Sequence, residues 1–441
     1  MKKSLLLLLM SVVLFSCDNT VKKNEKEIYI PKDLQEMDLK NPESKWSYDR
    51  MECTENFAIF WEKGFGNDLS NPPQLEGNPM AVDLENLKEK LESFYDYFYH
   101  TLQFAKKGSK CDKYRMMVMI NYSLEGTAYG GDYDGEIGAL WVAPNRVQDK
   151  KLNCIAHELG HSFQSQITCD GQGEAWGGSG FFEMTSQWML WHVNPEWVTD
   201  ENYHWVAFCK DTHKAFLQLT NIYRSPYVLE YWSQKHGLTV IADLFRQGKK
   251  GEDPAMTYKQ MFNLTQEQFN DEMFDASRRI VNLDFTHAFD VTRKHAGQMT
   301  TKLGAPDAEG WRMITPENCP ENYGFNAIPL NLPEAGTTVS VDFKGQAGAK
   351  GFNAVNTDKA GWRYGFIATD KEGKCTYSEM GKENIGNLSY QVPEGTEQLW
   401  LVVMGAPTEY WRTPERWGNE GEDKESAQWP YSIKLNGTTC K

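Results

Sequence analysis

The sequence predicts an α+β protein in which a helix-rich part is followed by an antiparallel β-sandwich. Apolar residues recur at helical spacing up to about residue 285, and after Thr300 they alternate at strand spacing between glycines and prolines. A chain of 441 residues also exceeds what one hydrophobic core usually supports, so more than one domain is expected.

The elements follow in order. Residues 1–17, MKKSLLLLLMSVVLFSC, combine two lysines, an apolar run too short to span a bilayer and a small residue before Cys17. This pattern resembles a bacterial lipobox, which implies a signal over 1–16, a lipid on Cys17, membrane attachment through it and a place in the cell envelope, at the outer membrane or cell surface. The polar residues after Cys17 suggest a flexible tether over 17–45. A helix-rich domain is then expected over 46–295 and the sandwich over 296–441. Leu84, Leu87, Leu91, Phe94, Phe98 and Leu102 mark an amphipathic helix. MMVMI from Met116 and EIGALWVA from Glu136 read as strands. Helices are expected over Ser225–His236 and Thr239–Gln247, with Gly237 and Gly248 as their ends. Thr265 and Gln268 have the spacing of a capping box ahead of Phe269, Met273, Phe274 and Ile280. TVSVDF, YGFIAT and QLWLVVM, beginning at Thr338, Tyr364 and Gln398, supply sandwich strands.

Charge removes one class of partner. Without Lys2 and Lys3 the 46 basic residues become 44, against 61 acidic ones, a net charge of −17 that disfavours nucleic acid. Beyond Cys17 the remaining eight cysteines form an even set, which permits disulfides in an oxidising compartment, and no CxxC pair suggests a cysteine-based zinc site.

The chemistry concentrates in HELGHSFQSQITCDGQGEAWGGSGFFEMTSQ, His157 to Gln187. Asp149 can cap a helix running to about Ser165, with Leu152, Ile155, Leu159 and Phe163 facing the core. At about 100° per residue, His157 and His161 stand about 40° apart on the opposite face, so both imidazoles can reach one ion, while Gly160 allows a close approach to the backbone. Zinc favours neutral imidazole and leaves room for water when only three protein ligands bind. Glu158, beside the pair, can then act as general base and acid. Glu183 is the preferred third ligand because FFEMTSQWMLW reads as a second helix, started by Ser179 or Gly180. Asp170 and Glu174, in or beside the glycine-rich loop, are the alternatives. Gln164 and Gln187 are placed to donate hydrogen bonds around the site. His192, His204, His213, Tyr203 and Tyr227 are candidates for steadying an oxyanion, and none is preferred.

HExxH followed by a glutamate on a later helix resembles the gluzincin pattern. HELGHSFQ with GFFEMTSQ is similar to the enhancin-like, mucin-degrading peptidases. The resemblance implies a zincin-like metallopeptidase domain with one zinc ion on His157, His161 and Glu183, and Glu158 as the catalytic acid/base. ENFAIFWEKGFG, the histidine helix and LWLVVMGAPTEYW also look like a family of secreted bacterial proteins classed as a domain of unknown function. The expected activity is hydrolysis of peptide bonds in a protein or glycoprotein at the cell surface, with the sandwich positioning substrate. The competing expectations are an inactive surface protein gripping glycan or host protein through Trp362, Trp411, Trp417 and Trp429, each of which taken singly is more often a core residue than a platform, and a lipoprotein whose metal only holds the fold.

Overall fold

The structure, a computed structural model, describes residues 25–126, 128–177, 180–412 and 426–441. The signal, Cys17, Ser179 and Trp417 lie outside the described residues. Architecture is mixed α/β with several antiparallel pairings.

The first sheet contains β1 (Glu27–Ile28), β2 (Met51–Cys53), β3 (Phe57–Trp61), β4 (Tyr114–Ile120), β5 (Ala128–Tyr133) and β6 (Ile137–Val142). Its path is β2-β3-β4-β6-β5, with β1 on β4. β3, β4 and β6 run parallel, and β5 returns antiparallel at the edge. Parallel strands are buried on both faces, which explains why MMVMI shows no alternation. Met116, Val118 and Ile120 face the helices, while Met117 and Met119 meet Leu34, Leu39 and Trp46 on the other side. The tether expected over 17–45 is therefore corrected: from Glu27 onward the chain is folded against the sheet. Ile28, Ile30, Leu34, Met37 and Leu39, scattered through a polar stretch, cover that face together with Trp46.

The helices are α1 (Lys32–Gln35), α2 (Leu84–Asp96), α3 (Asn153–Cys169), α4 (Phe181–Val193), α5 (Trp197–Asp200), α6 (Asn202–Asp211), α7 (Tyr227–His236), α8 (Val240–Gln247), α9 (Pro254–Met261), α10 (Gln266–Val281) and α11 (Phe289–Thr292). α10 begins with the expected capping box: Gln268 N donates to Thr265 Oγ1 at 3.2 Å and Thr265 N to Gln268 Oε1 at 2.9 Å. α3 differs from expectation. It starts at Asn153 after a left-handed Leu152 and continues about one turn past Ser165 to Cys169, so Asp149 is not the residue at the cap position, although its Oδ2 accepts from Asn153 N at 3.5 Å. Among the described residues, no helix is long and apolar enough to cross a membrane. All eight described cysteines are free thiols.

The strand-rich part contains β7 (Arg312–Met313), β8 (Phe325–Leu330), β9 (Thr338–Gly345), β10 (Trp362–Asp370), β11 (Cys375–Tyr377), β12 (Ile385–Gln391), β13 (Thr396–Gly405) and β14 (Tyr431–Asn436). Two antiparallel sheets, β11-β10-β13-β8 and β12-β9-β14-β7, share a core that includes Leu401, Phe366, Val341 and Ile433. The first sheet is covered on its other face as well. Trp400, Val402 and Met404 of β13 join the helical core, whereas Leu399, Leu401 and Val403 face the sandwich. Polar ties reinforce this seam: Arg363 Nε donates to Asp271 Oδ1 at 2.7 Å, and Asn282 Nδ2 to Thr369 Oγ1 at 2.8 Å.

Candidate metal centre

α3 and α4 cross closely because a glycine lies at the contact. A Cβ on Gly160 would stand 2.9 Å from Ser186 Oγ and 3.3 Å from its Cα. Glycine also lets the sheet approach α3: a Cβ on Gly130 of β5 would fall 1.7 Å from the Glu158 carbonyl oxygen, and one on Gly138 of β6 would fall 2.9 Å from that of Ser162. The histidine helix is thus approached closely on two sides, by α4 at Gly160 and by the sheet at Gly130 and Gly138.

This arrangement brings together His157, His161 and Glu183. Glu183 Oε2 lies 3.0 Å from His157 Nε2 and 3.1 Å from His161 Nε2, and the two nitrogens are 3.2 Å apart. All three side chains are largely buried, with 11%, 13% and 19% exposure.

Two glutamines decide which ring nitrogens carry hydrogen. The Gln164 amide nitrogen donates to the Phe182 carbonyl at 3.0 Å and to Ser186 Oγ at 2.9 Å, so its oxygen faces His161 Nδ1 at 3.2 Å. The Gln187 amide nitrogen donates to the Tyr223 carbonyl at 3.0 Å, so its oxygen faces His157 Nδ1 at 3.2 Å. Each Nδ1 is then the N–H donor and each Nε2 presents a lone pair. Both glutamines thus donate around the site through their amide nitrogens, to Phe182, Ser186 and Tyr223, and in addition accept from the imidazoles.

Two imidazole lone pairs converging on a carboxylate oxygen repel it and one another unless a proton or a metal cation lies among them. The ionisation behaviour follows. Burial alone would lower the His161 pKa, but hydrogen bonding to Glu183 and the charges of Glu183 and Glu158 raise it. Burial opposes ionisation of Glu183, yet pairing with the protonated forms of His157 and His161 holds its carboxyl well below the usual range, and a metal cation among the three atoms would take the place of those Nε2 protons. A tetrahedral ion with bonds of about 2.0–2.2 Å needs ligand edges of about 3.3–3.6 Å. The observed edges are a few tenths of an ångström shorter, so small side-chain rotations would admit such an ion. These residues could hold a metal, and their N, N, O chemistry suits zinc.

Glu158 stands beside the triad and outside it. The Gly130 N–H donates to Glu158 Oε2 at 2.9 Å. Burial pushes its carboxyl above the usual range, the Glu183 charge adds to this, and the two histidines and Gly130 oppose it.

The other candidates lie elsewhere. Asp170 Oδ1 accepts from Lys110 N and Gln166 Nε2, each at 2.9 Å, at the far end of α3. Glu174 accepts from Lys250 N at 2.9 Å. His192 points away from the site to Glu230 at 2.8 Å, and Tyr227 is fully buried. His213 lies in the segment joined to the sandwich, since its carbonyl accepts from Glu321 N at 2.8 Å. His204 Nε2 reaches the site only through Gln187 Nε2, at 3.3 Å, and Tyr203 packs on His204. The residue missed in the sequence is Tyr223, whose ring lies on His157 with centroids 6.2 Å apart and whose hydroxyl meets the Glu183 carboxylate. It follows α6 on a loop without periodicity, so no spacing signal pointed to it. As expected of single tryptophans, Trp362 and Trp429 are core residues at 1% and 0% exposure rather than a binding platform, and Trp411 packs on Trp429.

A family of unknown function, DUF6055, has a sequence model that matches residues 20–441. The chain belongs to DUF6055. No curated protein matches it. Among solved structures, this DUF6055 chain shares 13% identity with the catalytic module of the metalloprotease ZmpA from Clostridium perfringens, over 85% of this chain and 69% of that one, at a TM-score of 0.29. It shares 10% identity with the Yersinia pseudotuberculosis-derived mitogen over 26% of this chain and 77% of that one, at 0.18. Accessory secretory protein 1, 2 and 3 of Streptococcus pneumoniae matches at 9% identity over 31% and 84% of the two chains, at 0.17. Likenesses this slight carry nothing further, and the functional reading rests on the site itself.

Proposed function

We propose that the protein is a zinc-dependent endopeptidase of the bacterial cell surface, zincin-like in its catalytic part and attached through lipid on Cys17, that hydrolyses peptide bonds in proteins or glycoproteins. One observation carries this reading: two imidazole nitrogens and a carboxylate oxygen converge with their lone pairs inward, and a separate carboxylate, Glu158, stands alongside. His157, His161 and Glu183 would hold the zinc ion, which when bound supplies a Lewis acid and lowers the pKa of water.

The chain's own groups do the rest. Glu158 accepts a proton from the attacking water at its carboxylate and returns it to the leaving amine. A carboxyl with a raised pKa suits both halves of that exchange. Gly130 N–H holds the carboxylate in place through the exchange. Gln164 and Gln187 keep the imidazoles in one tautomer. Tyr223, 43% exposed beside His157, carries the hydroxyl that would turn from Glu183 to donate to the developing oxyanion.

The test is metal analysis combined with digestion of a broad panel of proteins and glycoproteins. Wild type is expected to carry about one zinc ion per chain and to cleave. Glu158→Ala keeps the metal and loses cleavage, and Glu183→Ala loses the metal. Full zinc retention in Glu183→Ala, or no cleavage of any panel member by zinc-loaded wild type, would sink the reading.

A further inference from the structure

We propose that the C-terminal sandwich completes the metal centre at a distance, by clamping the strap Thr212–Arg224 that lays Tyr223 over His157. Only the predicted effect on cleavage rests on the peptidase reading; the clamp itself does not.

At its first end the strap is fastened to the segment leading into β8. Phe325 N donates to the Thr212 carbonyl at 2.7 Å, Glu321 N to that of His213 at 2.8 Å, and Phe216 N to that of Asn322 at 3.2 Å. The buried Glu321 carboxylate accepts from Ala215 N at 2.9 Å and pairs with Lys214 Nζ at 3.3 Å. Gly324 makes the contact possible, since a Cβ there would stand 2.1 Å from the His213 carbonyl oxygen.

The strap then crosses the start of α4. Ile222 is 2% exposed, and a Cβ on Gly180 would fall 2.6 Å from its Cγ2. At the far end, Gln187 bonds the Tyr223 carbonyl with the same amide group that holds His157, and Arg224 Nη1 pairs with Asp211 Oδ2 at 2.6 Å. A single three-residue helical turn, Leu219–Asn221, is the strap's regular structure. Too short to fix its own path, it takes its course from its two anchored ends. Tyr223 thus inherits its position from the sandwich as well as from α4.

The test uses the full chain and two readouts. In metal-free protein, hydrogen exchange at residues 217–224 is expected to rise at least about tenfold in Glu321→Ala and Gly324→Ala, while α3 stays protected. With zinc-loaded protein, both variants lower kcat by about tenfold at little cost in KM, and neither lowers it further in a Tyr223→Phe background. Glu321→Gln, which still accepts from Ala215 N, restores both readouts. Unchanged exchange in a folded Glu321→Ala protein overturns the clamp, as do losses that multiply with Tyr223→Phe. Wild-type kcat in Glu321→Ala, where Tyr223→Phe is impaired, overturns it too. Should Gly324→Ala not fold, the Glu321 pair decides. Cleavage that survives Glu158→Ala would instead defeat the peptidase reading and leave the exchange result standing.

Discussion

Gly130→Ala should separate metal binding from proton transfer. The added methyl would sit 1.7 Å from the Glu158 carbonyl oxygen and 2.9 Å from His161 Cβ. A tolerable carbon–oxygen contact is about 3.3 Å, so β5 must retreat from α3 by about 1.6 Å. That displacement stretches the 2.9 Å hydrogen bond from Gly130 N to Glu158 beyond any useful length. The metal-holding atoms stand on α3 and α4, neither of which has to move. A displacement of about 1 Å at a catalytic group costs about 100-fold, so kcat should fall by about that factor with zinc content unchanged. Steady-state cleavage of a panel substrate, with metal analysis on the same preparation, reads both quantities. A folded Gly130→Ala protein with kcat within about threefold of wild type would refute the role given to the strand, because the overlap leaves no way to keep the bond. Loss of zinc together with activity would refute the separation.

Two further outcomes are expected. Gln164→Leu and Gln187→Leu each free an imidazole to turn or change tautomer, and should weaken zinc affinity by about 10- to 100-fold in a competitive chelator titration, whereas unchanged affinity would mean the helices alone orient the rings. Away from the site, His287 stacks on His192 at 4.0 Å, and His192 in turn bonds Glu230 and Tyr97. Burial and then the His192 charge lower the His287 pKa to about 4. Burial opposes ionisation of Glu230, but its bond with His192 and the charges of His192 and His287 depress its pKa. Both pKa values are depressed on folding, so the stability they contribute is present above the unfolded values; the His287 part, on the order of 3 kcal/mol, is lost as pH falls from about 6.5 towards 4, and the Glu230 part only below about 4.5. Thermal unfolding across that range should show the loss, and His287→Gln should flatten it; an identical slope in the variant would remove His287 from the account.

Much of this was legible in the sequence where side chains carry the signal. The capping box at Thr265 and Gln268, the helical stripe of α10 and the HExxH spacing all express local geometry in residue type. What escaped reading was carried by backbone. β5, AYGGDY, has two glycines where a strand usually shows branched residues, and Gly130 is there because α3 lies too close for a side chain. Glu27–Lys45 resembles solvated chain because its apolar residues are scattered without a period, yet Ile28, Ile30, Leu34, Met37 and Leu39 with Trp46 cover one sheet face. Tyr223 reaches the site through a loop whose course depends on β8 and its approach, a contact between distant parts of the chain that no local pattern encodes. QLWLVVM was read as a strand of an alternating sandwich, but its unbroken apolarity reflects burial on both faces.

That double burial has a practical consequence for anyone dividing the gene. The sheet β11-β10-β13-β8 is a party wall: each side is the inner surface of a different core. A fragment ending near residue 295 would lose the wall that α10 leans on, and a fragment beginning there would turn Trp400, Val402 and Met404 out to water. Neither half makes a sound unit for expression, crystallisation or fusion.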